Sequence, residues 1–261
     1  GCCSLHPIAS LADDGIWRKS MQWFDWNYLF NSVPKLIPPF FQVTLLCVIT
    51  TLIIGSVFGF LLALCKLGKS RLLRGFAYSI TDIIRSMPFL VMLFLLYYGL
   101  GKFFPKLNAI NKIYFLELTL IIFASCRLSE IMRSAYEAID KSQMEAALSV
   151  GLSASQALTR IVIPQAAYIA LPNLGNLLVG MVLETALGFT IGIYDVMGTA
   201  KLINAREYGA HNLEIYLAAA LIYWVVSLII AALTGGLEKM HKKDRRRKQV
   251  GQSCSRKGEA A

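Results

Sequence analysis

The sequence predicts an all-α integral membrane protein with five transmembrane helices. Three observations carry that expectation. The mean hydropathy of +0.56 and the 56% share of apolar residues are too high for an ordinary soluble domain. Several uncharged runs are long enough to cross a hydrocarbon core of about 30 Å. The formal net charge of +10 sits mostly between and after those runs. A basic chain raises nucleic acid as a partner, and this placement of the charge argues for a lipid bilayer instead.

Residues 1–20 read as a disordered or non-native leader, with Met21 the expected natural start. Residues 21–39 hold Trp23, Phe24, Trp26, Tyr28 and Phe30 and read as an interfacial aromatic segment, since such side chains favour the membrane–water boundary. Pro34, Pro38 and Pro39 are expected to break the chain ahead of the first span. A transmembrane domain is expected over 40–240. Its first span, Phe40–Cys65, has no charge and contains Gly55-x-x-x-Gly59, a spacing that lets a second helix approach closely.

The second span is expected from Phe76 to Leu100, with Pro88 kinking it or capping its apolar half. Asp82 and Arg85 in its first half read either as a helix-face ion pair or as a substrate contact. The third, Ile113–Met132, is the least apolar. Its Glu117, Arg127 and Glu130 are expected to face protein or water. The fourth runs from Ile161 to Tyr194, and the fifth from Ile215 to Leu237. A basic tail over 241–261 reads as a solvated topology signal.

Between the third and fourth spans lies a polar island built on Glu145-Ala146-Ala147, with Gly151 after three intervening residues and Ile161, Ile163 and Pro164 beyond. Small and apolar residues predict a short helix there. Gly151 is expected to end it, and Pro164 to open the next helix. From spacing alone the island is either an amphipathic connector on the membrane or a docking knob. In the fourth span, Asn173, Asn176, Gly180 and Glu184 share one helix face. A carboxylate in mid-membrane costs roughly 2.5–3.5 kcal/mol on insertion scales, which asks for a reason for Glu184. Gly188-x-x-x-Gly192 marks a close contact or a break.

Several chemistries fail on inspection. Gly68-Lys69-Ser70 lacks the first glycine of a phosphate-binding loop, as position 63 is Ala63, so no nucleotide cofactor is expected in this chain. The six cysteines show no metal-ligand spacing. His6, His211 and His241 fall in leader, loop and tail, which argues against an embedded enzyme. The side holding the loop after span one, the island and the tail carries about twice the Lys and Arg of the other side. The positive-inside rule therefore predicts an outside N-terminus and a cytoplasmic island and C-terminus.

The motif at 145–164 resembles the EAA loop of bacterial ABC-importer permease subunits, with Ile163 in place of the usual Leu before Pro164. The resemblance extends over nearly all of 23–240 and is strongest to the polar amino-acid uptake branch. Arg85-Ser86-Met87-Pro88-Phe89-Leu90 is similar to that branch's Arg-Gly-Thr-Pro-Leu-Leu segment. Pro164-Gln165-Ala166 and Leu171-Pro172-Asn173 match its entry to the fourth span. Glu184-Thr185-Ala186-Leu187 sits where the branch has Asp-Thr-Ser-Leu, and Leu183 replaces the preceding Lys.

The resemblance implies a multi-pass subunit of the bacterial inner membrane. Its expected partners are two cytoplasmic ATPase subunits, which bind the ATP, a second identical or related permease chain, and an extracytoplasmic solute-binding protein. It implies coupling to the ATPase through Glu145, Ala146, Ala147, Gly151 and Pro164, and a substrate pathway through Asn176, Glu184, Thr185 and Arg85. The implied substrate is a polar amino acid, with L-cystine the leaning and glutamine, histidine or arginine the alternatives. A channel or ion-coupled carrier independent of ATPase is the rival, and lacks a visible internal repeat here.

Overall fold

A computed structural model describes residues 24–258, with side chains over 24–240. The leader and the side chains of the basic tail lie outside the described residues. What is described is helical throughout, with no strand. The helices are α1 (Trp26–Leu67), α2 (Arg71–Ser86), α3 (Phe89–Phe103), α4 (Lys112–Glu137), α5 (Lys141–Ser149), α6 (Ala154–Ile191), α7 (Val196–Arg206) and α8 (Asn212–Gly258). Helix α6 closes in a 3₁₀ segment, Ala186–Ile191.

Among the described residues, three helices are long and apolar enough to cross a bilayer: Trp26–Leu67, Ala154–Ile191 and Asn212–Met240. The bent pair α2–α3 makes a fourth if it is counted as one span. Helix α1 shows why the surroundings must be lipid. Its buried residues Cys47, Thr51, Gly55, Gly59, Ala63 and Lys66 form one stripe against α4. The opposite face carries Ile53, Val57, Phe58 and Leu61, all more than half exposed. An apolar face of that extent is stable only in hydrocarbon.

Helix α4 lies at the centre and packs on α1, α2, α3 and α6. Its neighbours, and not lipid, surround it, so it tolerates Arg127, Glu130 and Arg133. The Gly55/Gly59 spacing does let helices meet closely. A Cβ on Gly59 would stand 2.8 Å from the Cβ of Leu128 and 3.0 Å from the carbonyl oxygen of Ser125. One apolar cluster joins Leu36, Leu128, Met181 and Ile215, and a second joins Leu93, Leu116, Leu120 and Phe123.

Two expectations are corrected. Pro34, Pro38 and Pro39 do not break the chain; they lie inside α1, so the aromatic segment is the first part of the same helix as the first span. The turn that follows, Phe40–Leu45, widens to a π-helix, accommodating the donors that Pro38 and Pro39 remove. Packing holds the stretch as helix: Leu29 and Leu36 are buried, and α1 lies on α8. Asp25 caps it, accepting from the Tyr28 amide, while the Asp25 amide donates to Glu214 Oε1 at 2.9 Å. The Tyr28 hydroxyl donates to Glu207, and its ring stacks on His211 at 4.0 Å.

The second span is not one helix from Phe76 to Leu100. α2 and α3 meet at 101° across Met87–Pro88. Met87 is extended, as a residue before proline tends to be, and the Pro88 carbonyl starts α3 by accepting from Val91 and Met92. Further π turns interrupt α3 at Leu95–Gly99 and α6 at Leu158–Val162. Gly188-x-x-x-Gly192 serves both purposes open to it. A Cβ on Gly188 would meet Leu116 at 2.9 Å, and Gly192, with φ of 81°, ends α6.

Candidate functional site

Two sites emerge, joined by α6. The first is α5, the helix of the polar island. Asp140 caps it by accepting from the Ser142 amide at 2.9 Å. That hydrogen bond holds the Asp140 carboxyl below its ordinary range. At the other end Gly151, with φ of 87°, takes the left-handed conformation that closes the helix. Its amide donates to Leu148 at 3.0 Å and that of Leu152 to Ala147 at 3.2 Å, the paired bonds of a Schellman turn. The helix is therefore fixed at both ends.

Its faces divide cleanly. Ala147 is buried, and α5 lies against the start of α6, where Ala157 and Val162 are buried. Glu145, Ala146, Leu148 and Val150 are exposed, Val150 at 77%. After Gly151, Ser153 and Gln156 form a reciprocal capping box that restarts the helix. Pro164 does not open the next helix, contrary to the sequence expectation: it lies inside α6, in the first regular turn after the π segment, because the capping box has already started the helix at Ala154.

The second site is a cavity of about 340 Å³ between α2, α4 and α6. Arg85, Arg127, Glu130, Asn173 and Asn176 supply its polar groups, and Ile131 and Leu177 the apolar ones. The volume falls within the usual range of small-molecule clefts. A second cleft between α6, α7 and α8, lined by Leu187, Phe189, Met197 and Tyr216 among others, carries no charged side chain.

Ion pairs organise the polar groups. Lys66, buried on α1, donates to Ser129 Oγ at 2.7 Å and to Glu130 Oε1 at 2.6 Å. Arg133 holds the other oxygen of Glu130 at 2.8 Å. Arg85, about half exposed, lies 4.0 Å from Glu130. Its ionic partner is thus across the helix interface, and not Asp82 on its own helix. Arg127 reaches from α4 to Glu184 Oε1 at 2.6 Å.

The face of Asn173, Asn176, Gly180 and Glu184 is therefore a real polar stripe that meets α4. Arg85, Asn176 and Glu184 gather around this region. Thr185 does not face the cavity: it is fully buried and donates to the Val182 carbonyl at 2.7 Å. Sequence reasoning missed Lys66, Glu130 and, with the largest consequence, Arg127. Its charge was visible, but its partner lies on another helix 57 positions away. An arginine and a carboxylate in adjoining spans were the available signal.

A polar cavity walled by helices of a largely apolar bundle gives a hydrophilic solute a place within the membrane, and the family match says what such a bundle serves. Residues 55–242 match the family described as "binding-protein-dependent transport system inner membrane component", and the chain belongs to that family. It is 34% identical over 226 residues to the probable amino-acid permease protein YxeN of Bacillus subtilis, covering 85% of this chain and 98% of that protein. It is 32% identical over 228 residues to the L-cystine transport system permease protein TcyL of the same organism, covering 86% and 94%. A solved amino acid ABC transporter with histidines superposes with a TM-score of 0.71 at 32% identity, over 81% of this chain and 98% of that one.

Proposed function

We propose that this chain is the permease subunit of an ATP-driven amino-acid importer of the bacterial inner membrane, with α5 as its coupling helix. The observation that carries the reading is the exposed Glu145–Ala146 surface of α5, capped at both ends and continuous through α6 with the polar stripe. A helix presenting small residues suits insertion into a cleft on a cytoplasmic ATPase. Glu145 supplies a charged anchor, Ala146 close approach, Ala147 the contact to α6, Gly151 the turn and Pro164 the return of α6 to regular helix after its π turn. ATP is bound by the partner ATPases, two per transporter, which drive two permease chains between inward- and outward-open states. A solute-binding protein delivers the substrate from outside.

In this reading α4 is a fifth span, shielded from lipid by its neighbours, and α2–α3 together make the second. The N-terminus is outside and the tail cytoplasmic, as the distribution of Lys and Arg favours. Arg85, Asn176 and Glu184 line the pathway, and Thr185 supports the stripe from behind. The amino-acid permeases among the relatives support the substrate class, and TcyL supports L-cystine within it.

Gly151→Asp tests the coupling role. A β-carbon at φ of 87° strains the turn, and the added carboxylate alters the docking surface. The variant is expected to insert normally but to lose uptake in vesicles carrying the full complex, and to fail to retain the ATPase in a pull-down. Normal retention together with normal uptake would remove the docking assignment.

A further inference from the structure

We propose that Arg127 is a specificity-determining residue: by occupying the carboxylate of Glu184 it closes the cavity to cationic amino acids and leaves it selective for neutral zwitterions. This rests on the importer reading above and decides among the substrates that reading leaves open.

Two carboxylates lie in or beside the cavity, and both are already occupied. Glu130 is held by Lys66 at 2.6 Å and by Arg133 at 2.8 Å. Glu184 is held by Arg127 at 2.6 Å. The site is built for that second pair. Gly180, one turn before Glu184, has no side chain, and even a Cβ there would lie 3.6 Å from Arg127 Nη1. The guanidinium passes over this gap, with its carbon 5.7 Å from the centroid of the Phe123 ring. Glu184 is largely withdrawn from solvent, with a side-chain exposure of 16%, and Arg127 is partly so at 34%.

The charge left over is positive. Arg85 is the loosely held cation, 48% exposed and 4.0 Å from its carboxylate. It is the natural receiver of a substrate α-carboxylate, in the two-pronged geometry that guanidinium favours. Asn173 and Asn176, both exposed on the cavity wall, offer amide oxygens to an α-ammonium and amide N–H groups to a polar side chain. A lysine or arginine side chain would find no vacant carboxylate and would face two guanidinium groups. An acidic side chain would have to compete with Glu184 for Arg127. Discrimination here comes from built-in repulsion as much as from attraction.

The test is equilibrium binding to the purified permease–ATPase complex without any solute-binding protein, using labelled glutamine, cystine, lysine and arginine. Wild type is expected to bind glutamine or cystine about tenfold or more tightly than lysine and arginine, the scale set by like-charge juxtaposition. Arg127→Gln is expected to raise affinity for lysine and arginine by a similar factor, and Arg127→Gln/Glu184→Gln to abolish that gain. Equal binding of cationic and neutral ligands by wild type overturns the proposal, as does failure to bind either neutral zwitterion. An assembled Arg127→Gln complex with unchanged lysine binding also overturns it. If that variant does not assemble, the wild-type ratios decide. Uptake by the complete system separates the layers: transport of no amino acid sinks the importer reading, whereas transport of amino acids alongside unselective cavity binding sinks only this inference.

Discussion

Single residues hold this bundle at its narrowest points. Gly59 is the clearest, since its absent side chain lets α1 lie directly on Leu128 and Ser125 of α4. Gly59→Leu must push the helices apart, and overpacking of this kind costs about 1–3 kcal/mol. The apparent unfolding midpoint of the purified permease in detergent should fall accordingly. Gly75→Leu is the control, because nothing lies within 4 Å of a Cβ there, and its midpoint should hardly move. Lys66 illustrates a different constraint. A buried ammonium is tolerable only because Ser129 and Glu130 surround it, so α1 and α4 are tied by charge as well as by close packing.

Among the elements, α5 owes its boundaries to its ends and not to its composition. The Asp140 carboxyl is held below its ordinary range by the Ser142 amide, so the cap favours the folded helix above the ordinary carboxylate value. That contribution is lost as pH falls through the depressed value. Hydrogen exchange over Lys141–Ser149, corrected for intrinsic rates, should show protection weakening in acid. Asp140→Asn should remove the acid-dependent part of that loss. Element existence was legible from sequence wherever local chemistry decided it: the island helix, its stop at Gly151 and the polar face of α6. It was not legible where packing overrode local preference. Three prolines ordinarily punctuate a chain, and here burial of Leu29 and Leu36 and a widened turn carry the helix through them. Pro88 announced a kink, but no local signal encodes an angle of 101°.

At the scale of the whole molecule, α4 is the axis on which the other helices meet, and its charged residues become intelligible only there. Hydropathy made it the least certain span because a helix sheathed by protein need not be apolar. The same sheathing hid the role of Arg127, whose partner is set by helix packing and not by spacing along the chain. The first candidate site, α5, packs on the start of α6 and on its π turn at Leu158–Val162, and the second is walled by residues further along the same helix. That turn has a rotational consequence. A π turn takes up one residue more than an α turn for about the same rotation, so the helix keeps its azimuth across it. Deleting Thr159 would return the segment to the α-helical period with little rotation of α5 relative to the polar stripe, whereas deleting Thr159 and Arg160 together would swing it by about 100°. The expected result is that the single deletion inserts, binds its ligand and retains the ATPase, while the double deletion binds its ligand but no longer retains the ATPase, measured by paired ligand-binding and pull-down assays. The π turn is thus a reserve of length: the helix can give up one residue there before the heading of the knob changes.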